Sequence, residues 1–190
     1  MERKLIILGL DPGFSSLGYA MTTWEDDRLR PLKIGVIHTK KANKKTHVLA
    51  CEDNFERSRE LAVALRRLIS GQRIIAVCAE AMSFPRQASV AAKVAMCWGV
   101  LADITVTESL ALVQPTPQRV KKALCGKITA SKEEVQDAVV AYGWTPEDRA
   151  ALIAQIAALN KGDREHAVDA LAVIITSADG EVLRLARKLA

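Results

Sequence analysis

Leu5-Ile-Ile-Leu-Gly-Leu-Asp-Pro-Gly13 is the stretch on which the fold turns. An unbroken apolar run from Leu5 to Leu10, with charge before it and a turn-forming Asp-Pro-Gly after it, predicts a strand buried on both faces. A second such run, Ile74-Ile-Ala-Val-Cys-Ala79, ends at once in Glu80. Between the two, Leu17–Trp24, the turn Glu25-Asp-Asp-Arg28 and Leu32–Thr39 read as a hairpin. Arg57–Ile69, with Leu61, Leu65, Leu68 and Ile69 at helical spacing, reads as a crossover helix closed by Gly71. Strand, hairpin, helix and return strand place Leu5–Leu10 parallel to and beside Ile74–Ala79 by the right-handed crossover rule.

Downstream, Ala88–Ala102 predicts a long helix of small apolar residues, and Ile104–Thr107 and Ala111–Val113 are strand-like. Thr116-Pro117 opens a helix with proline at its first position, and Gly126 ends it. Ser131-Lys-Glu-Glu134 is a capping box, and Thr145-Pro146 opens a further helix. Asn160-Lys-Gly162 stops that helix, and Asp163 caps an apolar one from about 164 to Ser177. Residues 181–189 form an amphipathic tail helix. Repeats and linkers are absent from the sequence, so the expectation is one α/β domain over 1–190 with a mixed sheet.

Composition bounds the function. The chain has 190 residues and a net charge of +5, a weak pointer to a polyanionic partner that an ordinary basic surface explains equally well. The cysteines, Cys51, Cys78, Cys97 and Cys125, form no CxxC pair, and His38, His47 and His166 show no zinc spacing with them. Reduced, buried thiols, no secretory pattern at the N-terminus and no apolar run long enough for a bilayer make a cytoplasmic protein the expectation.

The chemistry-bearing pattern is acidic. Two buried parallel strands end in Asp11 and Glu80, and sites in open α/β sheets form at the carboxyl ends of strands. Neighbouring strands lie about 4.8 Å apart, so both carboxylates emerge at one edge. Two such acids repel, and a hard divalent cation with oxygen ligands relieves the repulsion. His166-Ala-Val-Asp169 adds two polar groups at i,i+3 on one face of an otherwise apolar helix, where a partner is needed. Taken singly, each acid reads as a turn former, a strand end or a solvated helix residue; their matched positions argue for a joint site.

Leu8-Gly-Leu-Asp-Pro-Gly13 with Leu17-Gly-Tyr19, Ala79-Glu80, Gln118-Arg-Val-Lys-Lys-Ala123 with Ser131-Lys132, and His166-Ala-Val-Asp-Ala-Leu-Ala172 occur in an order that resembles the RuvC-like Holliday-junction resolvases, across roughly 5 to 177. The resemblance implies a ribonuclease-H-like fold with a five-stranded mixed sheet flanked by helices, and a homodimer. It also implies magnesium-dependent paired nicking of four-way junctions, leaving 5′ phosphate and 3′ hydroxyl. Asp11, Glu80, His166 and Asp169 are then catalytic and metal-binding, with two Mg2+ ions per site and Mn2+ as a substitute. Many family members have Asp where this chain has His166, so His166 either holds metal or assists proton transfer.

Lys121, Lys122 and Lys132 match the family's DNA-binding segment, and Arg86 and Lys40–Lys45 are further phosphate candidates; a solvated helix face is the other reading. Phe84 either stacks on a base near the crossover or anchors its own loop. Ala88–Ala102, with Ala91, Ala92, Ala95 and Gly99, is either the dimer helix or a helix packed only on its own sheet. A branch-migration helicase is a further expected partner. The competing readings are a related nuclease acting on forks, flaps or structured RNA, and a non-catalytic nucleic-acid-binding protein.

Overall fold

The two buried runs become the central strands of a five-stranded sheet in the computed structural model, which describes residues 4–43, 47–82 and 86–188. β1 is Leu5–Asp11, β2 Ser16–Glu25, β3 Arg28–His38, β4 Arg73–Ala79 and β5 Ala111–Val113. Their order across the sheet is β3-β2-β1-β4-β5. β1 pairs antiparallel with β2 and parallel with β4, as expected from the crossover, and β4 pairs parallel with β5. The hairpin turns on Asp26 and Asp27, both at positive φ (47° and 64°). Two left-handed residues are what a tight hairpin matching the strands' twist requires, and Asp tolerates that region.

Seven helices are described: α1 (Ala50–Ile69), α2 (Ala88–Thr107), α3 (Pro117–Cys125), α4 (Lys132–Ala141), α5 (Pro146–Ala158), α6 (Lys161–Ser177) and α7 (Glu181–Lys188). The cap signals hold: Thr116 accepts from Arg119 N, Ser131 from Glu134 N and Thr145 from Asp148 N, and Gly126 ends α3 at φ 74°. Several boundaries are corrected: α1 begins at Ala50 and not Arg57, and β3 at Arg28 and not Leu32. Ile104–Thr107 is the last turn of α2, not a strand, because Leu101 and Ile104 continue the buried stripe begun by Cys97. α6 starts at Lys161, with Asn160 as its cap, and Asp163 lies in the first turn, where it meets His38 Nε2 at 3.1 Å.

Alternation along the central strands divides the core. Ile6, Leu8, Leu10, Val77 and Ala79 point to the face covered by Leu61, Leu65 and Ile69 of α1 and Cys97, Leu101 and Ile104 of α2. Ile7, Ala76 and Cys78 point to the other face, covered by α6, with α3, α4 and α5 behind it. From Ala167 to Ser177 all but Asp169 of α6 is buried. Burial pushes the Cys78 and Cys97 thiols up to about 12, so both stay protonated; the expectation of buried thiols fails for Cys51, which is exposed at the start of α1, and holds only in part for Cys125, which is half-buried.

The bilayer expectation also needs correcting, since α2 is by length and composition long and apolar enough to cross a membrane. Its Cys97, Leu101 and Ile104 face the sheet-side core, and it carries Lys93 and Asp103.

Candidate active site

Strand parity carries the acids to one side. Ile7, Gly9 and Asp11 share a face of β1, and Ala76, Cys78 and Glu80 continue the same face of β4. Leu10 is in register with Ala79, so Asp11 and Glu80 leave the two strands at the same level, beneath α6. α6 gets close because two glycines let it. A Cβ on Gly9 would overlap the Ala170 carbonyl oxygen, and one on Gly18 would overlap the His166 carbonyl oxygen. Asp11 is in register with Gly18, so the glycine that admits the His166 backbone sits directly across from Asp11.

Asp11, Glu80, His166 and Asp169 therefore line one cavity of about 340 Å3, together with Lys121, Lys132 and Glu165. Its apolar wall is Val120, Val135, Ala172 and Val173. His166 Nδ1 lies 2.6 Å from Asp11 Oδ2, and this hydrogen bond holds the imidazole's pKa above its usual value. Burial, and then the neighbouring charge of Asp11, pushes the Glu80 carboxyl up. Burial, followed by Asp11, Glu80 and Glu165, pushes Asp169 up to about 7. Lys132 opposes both shifts and is itself raised by its ion pair with Glu165. Among the described residues no three His, Cys, Asp or Glu side chains are drawn into a ready-made metal shell.

Other expected site residues divide. Lys121 and Lys132 line the cavity, whereas Lys122, in the last turn of α3, is exposed outside it. Arg86, Lys40 and Lys41 are exposed away from the cavity lining. Phe84, Lys44 and Lys45 lie outside the described residues.

Glu165 is the residue that spacing missed. It sits about 100° round the helix from His166. The first turns of α6 form the cavity's edge, and there the offset still leaves Glu165 on the lining, paired with Lys132. A second miss is the buried Asp148, which accepts three bonds from Arg30 and so ties α5 to β3, away from the cavity.

The mixed sheet, the helix laid over its centre and the acids at adjacent strand ends define the ribonuclease-H-like class. Residues 7–177 match the family described as crossover junction endodeoxyribonuclease RuvC. A relative of that name from Natranaerobius thermophilus is 29% identical over 181 residues, 95% of this chain and 98% of the relative. The RuvC structure from Thermus thermophilus superposes with a TM-score of 0.67 at 25% identity, covering 91% of this chain and 93% of that one. The same protein in complex with a Holliday junction substrate superposes at 0.66, at 24% identity over 91% and 92% of the two chains. The chain belongs to the RuvC family of crossover junction endodeoxyribonucleases.

Proposed function

We propose that this chain, acting as a single nuclease domain, resolves four-way DNA junctions by paired nicking as a magnesium-dependent homodimer. One observation carries the reading: Asp11, Glu80 and Asp169, from three separate elements, meet in one cavity that also holds the cations of Lys121 and Lys132. The carboxylates fit a hard divalent cation, because burial and mutual repulsion hold Glu80 and Asp169 in a state that such a cation would relieve. Asp11, Glu80 and Asp169 would hold it, with His166 at the fourth corner. A pair of Mg2+ ions, when bound, supplies Lewis-acid activation of water and charge neutralisation at the leaving 3′ oxygen.

The chain's own groups do the rest. Lys121 and Lys132 bind phosphate at the cavity, Lys132 exchanging its Glu165 partner for the DNA backbone. The apolar wall limits water around the phosphodiester. His166 fixes the orientation of Asp11 through Nδ1. In the reaction a water oxygen bonds to phosphorus and the bond from phosphorus to the 3′ oxygen breaks, leaving 5′ phosphate and 3′ hydroxyl.

Support for the homodimer comes from α2. Ala88, Ala92, Ala95, Gly99, Ala102 and Val106 are all exposed and recur every three or four residues, a stripe of coiled-coil spacing. Val106 is 79% exposed. Small residues let a second helix approach closely, and a two-fold pair presents two sites to two symmetric strands. We propose the cytoplasm as the compartment and a branch-migration helicase as a further partner.

The test is a panel of synthetic four-way junction, fork, flap, plain duplex and structured RNA, each with and without magnesium. Symmetric nicks confined to the junction and dependent on magnesium are expected. Preferential cutting of forks, flaps or RNA would overturn the substrate assignment, and binding without any cutting would overturn the enzyme.

A further inference from the structure

Arg57 is only 4% exposed, in the middle of α1 on the face of the sheet opposite α6. A buried guanidinium is unfavourable unless its donors are matched. Its Nε donates to Thr39 Oγ1 at 2.9 Å and its Nη2 to Ser15 Oγ at 2.6 Å. Its Cζ lies over the Phe14 ring, 4.6 Å from the centroid. Asp53, one helical turn earlier, supplies the nearest counter-charge at 3.9 Å. Thr39 relays the hold: its hydroxyl donates to the Phe14 carbonyl at 2.7 Å and its amide to the Ser15 carbonyl at 3.1 Å.

Directly or through Thr39, all of these contacts except Asp53 reach Phe14 and Ser15, in the connection 12–15 that leaves β1 directly after Asp11 and enters β2. Phe14 belongs to the core beneath α1 and α2, whereas Asp11 faces the cavity beneath α6. Asp11 is thus held from two sides. His166 grips its carboxylate from the α6 face, and the loop that follows it is clamped from the α1 face, at the Ser15 hydroxyl by Arg57 and at the Phe14 and Ser15 carbonyls by Thr39. A planar fork with several donors fixes orientation, which a lysine or an apolar residue at 57 would not do.

We propose that Arg57 is a positioning residue for the nuclease site: by clamping residues 12–15 it holds Asp11 where Glu80 and Asp169 can share a divalent cation with it. The inference rests on the nuclease reading above. Arg57 touches neither the cavity nor substrate, so its effect is on cation capture and not on DNA binding.

The test uses the full chain with R57K, which keeps the charge and loses the fork, and with T39V and S15A, which each remove one hydroxyl of the clamp and keep Arg57. Mn2+ binding is measured by titration calorimetry, folding by thermal melting, and junction nicking across a magnesium series. Expected are a roughly tenfold weaker Mn2+ affinity, nicking restored at high magnesium, and unchanged junction binding in EDTA, the scale seen when outer-shell partners of metal ligands are lost. Should R57K fail to fold, T39V and S15A decide. Folded variants that bind Mn2+ as the parent does, whatever their melting temperature, overturn the proposal. A parent chain that binds Mn2+ yet cuts nothing overturns the nuclease reading while leaving the clamp measurable by calorimetry.

Discussion

His166 Nδ1 and Asp11 Oδ2 stand 2.6 Å apart across 155 residues of sequence, closing the cavity between β1 and α6. The partners do not have equal duties in the proposed mechanism. As the proposed cation ligand, Asp11 cannot be spared, so Asp11→Asn should abolish junction nicking while leaving junction binding in EDTA intact. His166→Asn should keep a polar contact to Asp11 and lose far less. Equal losses in the two variants, measured by nicking and by gel shift, would make His166 as essential as the carboxylate.

Acidity should act on the metal-free protein in a stated direction. Asp169 has a native pKa of about 7 against an ordinary 3.8, so the native chain binds its proton more tightly than the unfolded chain. Its stabilising contribution is present below about 3.8 and fades as pH rises through 7. Glu80 and His166, both raised, act with the same sign. In EDTA the melting temperature should therefore be higher at pH 5.5 than at 7.5. Added divalent cation should raise it more at 7.5, and Asp169→Asn should flatten the pH dependence. A melting temperature in EDTA that climbs from pH 5.5 to 7.5 would contradict the repulsion described for the cavity.

Gly18 lies under the His166 backbone with no room for a methyl group. Gly18→Ala should destabilise the chain by about 1–3 kcal/mol through overpacking. It should also reduce nicking beyond what the unfolded fraction explains, because α6 must move off the sheet and takes His166 and Asp169 with it. Urea unfolding together with nicking of the folded fraction measures both effects. A stable, fully active variant would mean that the close approach is not needed.

The exposed stripe of α2 makes a separable prediction. Gly99→Glu places a charge in the middle of the stripe, where no core residue is disturbed. Sedimentation should show a dimer for the parent and a monomer for the variant. The variant should fold normally and should lose the simultaneity of its two nicks. A monomeric parent at working concentration would remove the dimer.

How legible this was depends on the element. β1 and β4, their parallel pairing and the acids that end them were readable because an unbroken apolar run leaves few alternatives. The caps at Thr116, Ser131 and Thr145 were readable because side chains mark those positions by local chemistry. The end of α2 was not, since Ile104 and Val106 are β-branched and suit a strand locally, and it is the packing of Leu101 and Ile104 on the sheet that carries the helix on through this turn. Glu165 escaped because spacing gives an angle on a helix and not the width of the cavity beside it. Arg57 escaped altogether. It looks like one arginine among several on a helix, and its partners Ser15 and Thr39 come from a loop and a strand end whose meeting depends on the sheet's register.

The long burial of α6 carries one more consequence. The segment that bears His166 and Asp169 is also a main support of one of the two cores, so neither residue can reach Asp11 unless that helix is fully docked. On the nuclease reading proposed above, cutting would therefore have to wait until the chain has finished folding, because a half-melted molecule would lack the assembled cavity.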